Sequence, residues 1–199
     1  MVIPDDVIFD PPRLLRSISS NCVTEWLSTP SLFESVLQLS RTKDLIDAFK
    51  TLRVLLFNGE VVRPELARRA LQVVKSSENP KARLFNLYSI SECHEVSMCE
   101  ITAETVATLT ESEAYPVGYT QPYARSYLIN PNTLEPVEEG EVGMLHIGGP
   151  GLAVGYVGNE GLTQEKFPTV KGLGRLYNTG DLARMKKVRR MGGGGVLGE

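Results

Sequence analysis

The chain has 199 residues, 42% hydrophobic and 23% charged, which suits one or two globular domains with a real core. Its formal net charge of −3 leaves no nucleic-acid footprint, and no stretch approaches the ~20 apolar residues of a transmembrane helix. Cys22, Cys93 and Cys99 cannot all pair within one chain and no signal peptide or glycosylation sequon is present, so a reduced, cytoplasmic setting is expected.

Residues 1–13 are rich in proline and read as a loop or a severed end. Leu14–Ile18 reads as a short helical piece, and Val23–Leu27 as a strand ending at Thr29-Pro30. Ser31 is placed to cap a helix with Leu32, Phe33, Val36, Leu37 and Leu39 at helical spacing. A second helix is predicted over Thr42–Phe49. Leu52–Phe57 reads as a continuous apolar run bounded by Asn58-Gly59, which predicts a buried parallel strand. Pro64 suits a first helical turn, and positions 66, 70, 71 and 74 give Pro64–Val74 an apolar face. Ala82–Leu87 is the next strand, so this part is a βαβ unit with a parallel sheet.

From about Tyr115 glycine and proline become frequent. Short alternating strands are predicted at Arg125–Ile129, Val142–Ile147 and Leu176–Met185, the last broken at Asn178-Thr179-Gly180-Asp181. The expected fold is therefore α/β, with a parallel βαβ sheet over residues 1–112 and a small antiparallel β-barrel-like part over 113–185. A basic, glycine-rich tail over 186–199 reads as disordered. Within it, Gly193-x-Gly195-x-x-Gly198 formally matches a dinucleotide fingerprint, but no strand precedes it and no helix follows to receive a pyrophosphate. Cys93, His94 and Cys99 lack zinc-site spacing.

The densest polar cluster is Asn86-Leu87-Tyr88-Ser89-Ile90-Ser91-Glu92, following the apolar run Ala82–Phe85. Read as one turn at the C-terminal edge of a parallel sheet, it stands where open α/β sheets bind ligands. A hydroxyl beside a carboxylate suits a phosphate and its Mg²⁺. A polar loop that merely caps the next element would look the same.

Four stretches together resemble the adenylate-forming superfamily, which includes nonribosomal-peptide-synthetase adenylation domains, acyl-CoA synthetases and luciferases. Asn86–Glu92 resembles its Asn-x-Tyr-Gly-Pro-Thr-Glu, and Gly140–Tyr156 its Gly-Glu-Leu-x-Ile-x-Gly-x-Gly-Leu-Ala-x-Gly-Tyr. Leu162-Thr163 with Glu165-Lys166-Phe167 resembles Leu-Thr-x-Glu-Lys-Phe, and Tyr177–Leu182 resembles Tyr-Arg-Thr-Gly-Asp-Leu. Gly118, Arg125 and Tyr127 also stand in register with the family's barrel-entry pattern. The mixture leans toward the branch that activates amino acids.

The resemblance implies ATP and Mg²⁺ as cofactors and a carboxylic acid, in particular an amino acid, as substrate. The acid becomes an acyl-adenylate and then passes to a thiol, on a phosphopantetheine carrier or on CoA. By this resemblance Ser91 contacts the α-phosphate and Glu92 ligates Mg²⁺, the two catalytic positions. Asn58, Gly59, Glu60, Asn86, Tyr88 and Asp181 complete the nucleotide site, with Tyr88 on adenine and Asp181 on the ribose hydroxyls. Leu27, Leu56, Asn58, Leu87, Glu95 and Val96 take the acyl-pocket positions. An inward Glu95 needs a cationic partner, which a substrate amine would supply, whereas a solvated Glu95 needs none.

The departures are that Ser89-Ile90 stands for Gly-Pro, while Asn178 and Val154 each replace a common Arg. The family's phosphate loop and its lid with the catalytic Lys have no counterpart in these residues. A fragment of the large N-terminal domain is therefore expected, with little or no adenylation by itself. A non-catalytic nucleotide-binding or interaction module and a piece of an acyl-CoA synthetase are the alternative readings.

Overall fold

A computed structural model describes residues 3–186 and 196–198. The chain forms two compact units, Met1–Asn86 with Glu100–Tyr115, and Leu87–Cys99 with Pro116–Glu199. The expected disordered tail and its glycine motif fall mainly on residues 187–195 and 199, which lie outside the described residues.

The first unit begins with helices α1 (Asp5–Ile8) and α2 (Pro11–Ser20), where a loop and a short helical piece were expected. The signal lay in Asp10-Pro11: the Asp10 carboxylate accepts from Arg13 N at 3.1 Å, and proline at the first helical position loses no hydrogen bond. Strand β1 (Glu25–Ser28) lies slightly later than predicted and alternates in burial. Helix α3 (Pro30–Leu39) is capped by Thr29, whose hydroxyl accepts from Leu32 N at 3.2 Å, and not by Ser31. Helix α4 (Thr42–Phe49) has the predicted bounds.

Strand β2 (Val54–Asn58) starts two residues later than predicted because exposed Arg53 interrupts the apolar run. It pairs in parallel with β1, in the register Leu27↔Leu56 and Ser28↔Phe57. Helix α5 (Pro64–Ser76) follows, with Leu66, Ala67 and Ala70 buried. Phe33 is fully buried, with its ring 5.5 Å from Trp26, 5.2 Å from Phe57 and 6.1 Å from Phe49. These four rings form the centre of the unit's core.

Strand β3 (Arg83–Ile90) passes into the second unit after Asn86, and β4 (His94–Glu100) returns at its last residue. Helix α6 (Ala103–Ala107) completes the first unit. Tyr115 anchors its end: the hydroxyl donates to Glu100 O at 2.9 Å and accepts from Thr102 N at 3.1 Å. The sheet order is β1-β2-β3-β4-β5, with β5 (Tyr119–Thr120) antiparallel to β4.

The second unit continues with β6 (Arg125–Ile129) and β7 (Val142–Gly148). Helix α7 (Glu160–Lys166) follows, capped by Asn159, then β8 (Thr169–Val170), β9 (Gly174–Arg175), β10 (Tyr177–Lys186) and β11 (Val196–Gly198). Strands β11-β10-β7-β6 form an antiparallel sheet, the form taken by the expected barrel-like part. Its core joins Cys93, Val96, Val117, Leu128, Leu145, Ile147, Phe167, Tyr177 and Ala183. Among the described residues no helix is long and apolar enough to cross a membrane.

Candidate functional site

The polar cluster at 86–92 is not one turn. Ser89 and Ile90 are compatible with extended backbone in a way that Gly-Pro is not, so β3 runs through both before the chain reverses at 91–93. Cys93 N donates to Ile90 O at 3.1 Å to close the turn, and His94 leaves it at φ +60°. Asn86 therefore sits inside a strand, buried in the first unit, with Nδ2 donating to Tyr115 O at 3.2 Å. Leu87 is buried, Tyr88 is half-buried, and Ser91 is exposed at the turn.

Glu92 is held by residues from three of the matched stretches. The Tyr156 hydroxyl donates to its Oε1 at 2.6 Å, and its backbone O accepts from Ala153 N at 2.7 Å. That tyrosine is itself placed by Thr163, whose hydroxyl accepts from Tyr156 N at 2.8 Å. Gly155 makes the approach possible, because a Cβ there would lie 2.5 Å from the Thr163 methyl. Phe167 packs between the rings of Tyr156 and Tyr177 at 5.8 and 5.0 Å, with the Arg175 guanidinium 4.4 Å above its centre. Arg175 also donates to Ala153 O and Val154 O at 2.9 and 2.7 Å, which fixes the glycine loop.

The Tyr156 hydroxyl holds the Glu92 carboxyl below its ordinary value; partial burial opposes this, and the Tyr177 hydroxyl and the Lys166 charge add to it. Burial pushes the Tyr177 phenol far up, and the neighbouring Glu92 charge adds to it. Burial, then that same charge, push the Cys93 thiol up to about 12, so Cys93 is no nucleophile at neutral pH.

A depressed carboxyl stabilises the fold above its unfolded-state pKa, and that stability is lost as pH falls through the folded-state value. Tyr156→Phe is accordingly expected to cost about 1 kcal/mol at neutral pH, discounted for partial exposure. In acid the variant and the parent should converge. Urea unfolding at pH 7 and pH 3 checks this; an undiminished difference in acid would assign the cost to packing alone.

Asp181 is presented by a bulge. The β10–β7 register runs Asn178↔His146 and then Leu182↔Met144, so Thr179, Gly180 and Asp181 stand out of the ladder. Asn178 Oδ1 accepts from Gly180 N at 3.1 Å, and the Thr179 hydroxyl accepts from Asp181 N at 3.0 Å while donating to Leu145 O at 2.9 Å. The asparagine that replaces the family's Arg thus supplies an acceptor that a guanidinium lacks. The exposed Asp181 carboxylate accepts from the Tyr88 hydroxyl.

Ser91 and Glu95 line one open cleft of about 570 Å³ with Ser89, Ile90, His94, Tyr123 and Gly151. Glu95 is exposed, whereas Val96 is fully buried in the second unit's core. In the first unit, Leu27 and Leu56 are register partners on one sheet face, with Leu27 59% exposed. Asn58 ends β2, and Gly59 follows at φ +86°, with no protein atom within 4 Å of a Cβ built there. Glu60 has both carboxylate oxygens on Ser31, from the hydroxyl at 2.7 Å and the backbone N at 3.0 Å.

Tyr156, Tyr177, Thr163 and Tyr123 were not expected at the site. The first three lie inside matched stretches, which was the available signal; Tyr123 carried none. The residues present fit a nucleotide and a hard cation in the following sense. The Glu92 carboxyl, held below its ordinary value with Oε1 on Tyr156, is the hard oxygen donor present for an oxygen-seeking ion bound mainly through phosphates.

The family described as "AMP-binding enzyme" matches residues 1–157. The chain is 39% identical over 189 residues to "Glycine betaine reductase ATRR" of Emericella nidulans, covering 93% of this chain and 14% of that protein. It is 33% identical over 182 residues to a "D-alanine–D-alanyl carrier protein ligase" of Bacillus cereus, covering 90% of this chain and 33% of that one. It superposes at TM-score 0.70 and 28% identity on "Klebsiella oxytoca NpsA N-terminal subdomain in complex with 3-hydroxybenzoyl-AMSN", over 92% of this chain and 43% of that one. The chain therefore spans a third or less of the length of these two curated relatives.

Proposed function

The chain belongs to the AMP-binding enzyme family, and on that premise we propose that it carries the adenosine and acyl-facing part of an adenylate-forming site. In the whole reaction a carboxylate oxygen attacks the α-phosphorus of ATP, the acyl–O–P bond forms and pyrophosphate leaves. Catalysis of this kind is chiefly positioning and stabilisation of phosphate charge. Tyr88 offers its ring to adenine, and Asp181 accepts from the ribose hydroxyls. Ser91 donates to the α-phosphate, and Glu92 faces the Mg²⁺, which supplies charge neutralisation when bound with ATP.

The substrate is an amino acid or an N-alkylated derivative, and the acceptor is a carrier thiol. Support comes from the relatives, one named a carrier protein ligase for D-alanine and one a reductase of glycine betaine.

The observation that carries this reading is the contact of the Tyr88 hydroxyl with the Asp181 carboxylate, which joins two matched stretches in one place. A phenol ring fixed by its hydroxyl and a carboxylate raised on a bulge make an adenosine grip. Calorimetry with ATP and Mg²⁺ tests it. Asp181→Ala is expected to weaken saturable binding at least tenfold, about 1.4 kcal/mol, the order of a hydrogen bond to a charged group. Unchanged affinity in the variant, or no saturable binding by the parent chain, would overturn the adenosine role.

A further inference from the structure

We infer that Tyr156 is a positioning residue: its hydroxyl holds the Glu92 carboxylate in one orientation for the hard cation that accompanies ATP. The inference rests on the metal-facing role proposed for Glu92, and it gives work to two matched stretches that supply no group to the nucleotide in that reading. The glycine loop and the Thr-x-Glu-Lys-Phe stretch both converge on this one side chain.

Glu92 is gripped at both ends. Its backbone O accepts from Ala153 N at 2.7 Å, and its Oε1 accepts from the Tyr156 hydroxyl at 2.6 Å. One loop therefore fixes main chain and side chain together. The Tyr177 hydroxyl closes the group through hydrogen bonding with the Glu92 carboxylate and the Tyr156 hydroxyl, and its ring belongs to the buried core of the unit. The Lys166 charge also acts on the carboxylate, less than either phenol does.

Tyr156 is held in turn. The Thr163 hydroxyl accepts from Tyr156 N at 2.8 Å and donates to Asn159 O at 2.9 Å, which ties the tyrosine to the start of α7. Phe167 packs on the Tyr156 ring, and Arg175 lies over Phe167 while binding Ala153 O and Val154 O.

A glutamate that rotates freely loses side-chain freedom when it ligates a metal, and the ligation is weaker for it. A carboxylate already fixed by hydrogen-bond donors has lost that freedom beforehand, and removing such an outer partner typically costs about tenfold or more in metal affinity. A phenol suits the task because it donates without charge, so the carboxylate keeps the charge that attracts the cation. Glu92 stays only partly buried, so an ion can reach it.

The test titrates Mn²⁺ into the isotope-labelled chain, with and without ATP, and reads affinity from line broadening around Glu92. Carbon relaxation of the Glu92 side chain is measured without metal. Tyr156→Phe is expected to loosen that side chain and to weaken Mn²⁺ at least about fivefold, with ATP affinity in EDTA unchanged. Gly140→Ala, of comparable stability cost, should do neither. Glu92→Gln should weaken Mn²⁺ at least as much, and adding Tyr156→Phe to it should cost little more, because the phenol acts through the carboxylate. An unloosened Glu92 or unchanged Mn²⁺ affinity in Tyr156→Phe, an equal effect of Gly140→Ala, or additive losses in the double variant would overturn the inference. If Glu92→Gln weakens Mn²⁺ and Tyr156→Phe does not, the positioning role alone falls. If Glu92→Gln leaves Mn²⁺ unaffected, or no broadening appears around Glu92, the metal-facing reading falls and takes this inference with it.

Discussion

Gly118→Ala is expected to destabilise the second unit by ~4 kcal/mol, because the substitution meets two costs at once. The residue sits at φ +87°, in the left-handed region, and a Cβ there would lie 2.1 Å from Met98 O and 2.6 Å from Cys99 N. Both neighbours are backbone of β4, so no side chain can turn aside. The strand that would have to move is the one whose start carries Glu95 and whose pairing to β5 runs through Met98↔Tyr119. Gly140→Ala is the matched control: its φ is +91°, yet nothing lies within 4 Å of a Cβ. It should cost only the backbone term, about 1 kcal/mol. Urea unfolding of both variants, with hydrogen exchange read along β4 and β5, checks the difference. Equal costs would show that the close approach to Met98 is relieved without loss.

Phe33→Ala is expected to destabilise the first unit by about 4 kcal/mol, from lost burial, the cavity left behind and three ring contacts. Phe33 is wholly buried and the only ring that touches each of Trp26, Phe49 and Phe57 within that cluster. Phe33→Leu keeps most of the volume and should cost about 1.5 kcal/mol or a little less. Trp26 is the cluster's built-in reporter, so its fluorescence follows the unfolding directly. A loss below ~1.5 kcal/mol for the alanine variant would mean that the core collapses around the gap.

Regular periodicity was legible wherever one face of an element is apolar. Helix α4 and strand β6 have their predicted bounds for that reason: Leu45 and Phe49 return every turn, and the short run at 125–129 ends at Asn130-Pro131. Turn chemistry was less legible. Prolines at 11 and 30 read as breakers or loop ends, although both open helices behind an Asp or a Thr cap. The break expected at 178–181 is a bulge inside a continuing strand, since Thr179 and Asn178 hold the extra residues by side-chain hydrogen bonds.

By itself the sequence determined which stretches resemble the family: the Asn-x-Tyr…Glu cluster, the glycine loop, the Thr-x-Glu-Lys-Phe stretch and the Thr-Gly-Asp turn. Only the tertiary structure decided which partners their side chains meet. Glu92 meets Tyr156 across 64 positions, Tyr88 meets Asp181 across 93, and Glu60 turns to Ser31 across 29. Tyr123 ends on the backbone of Glu95 across 28. Local patterns record burial over one turn of helix or one strand. Hydrogen bonds of a few ångströms between distant positions depend on bulge register, turn closure and the glycines that let backbones touch, and those are set only when the sheet assembles.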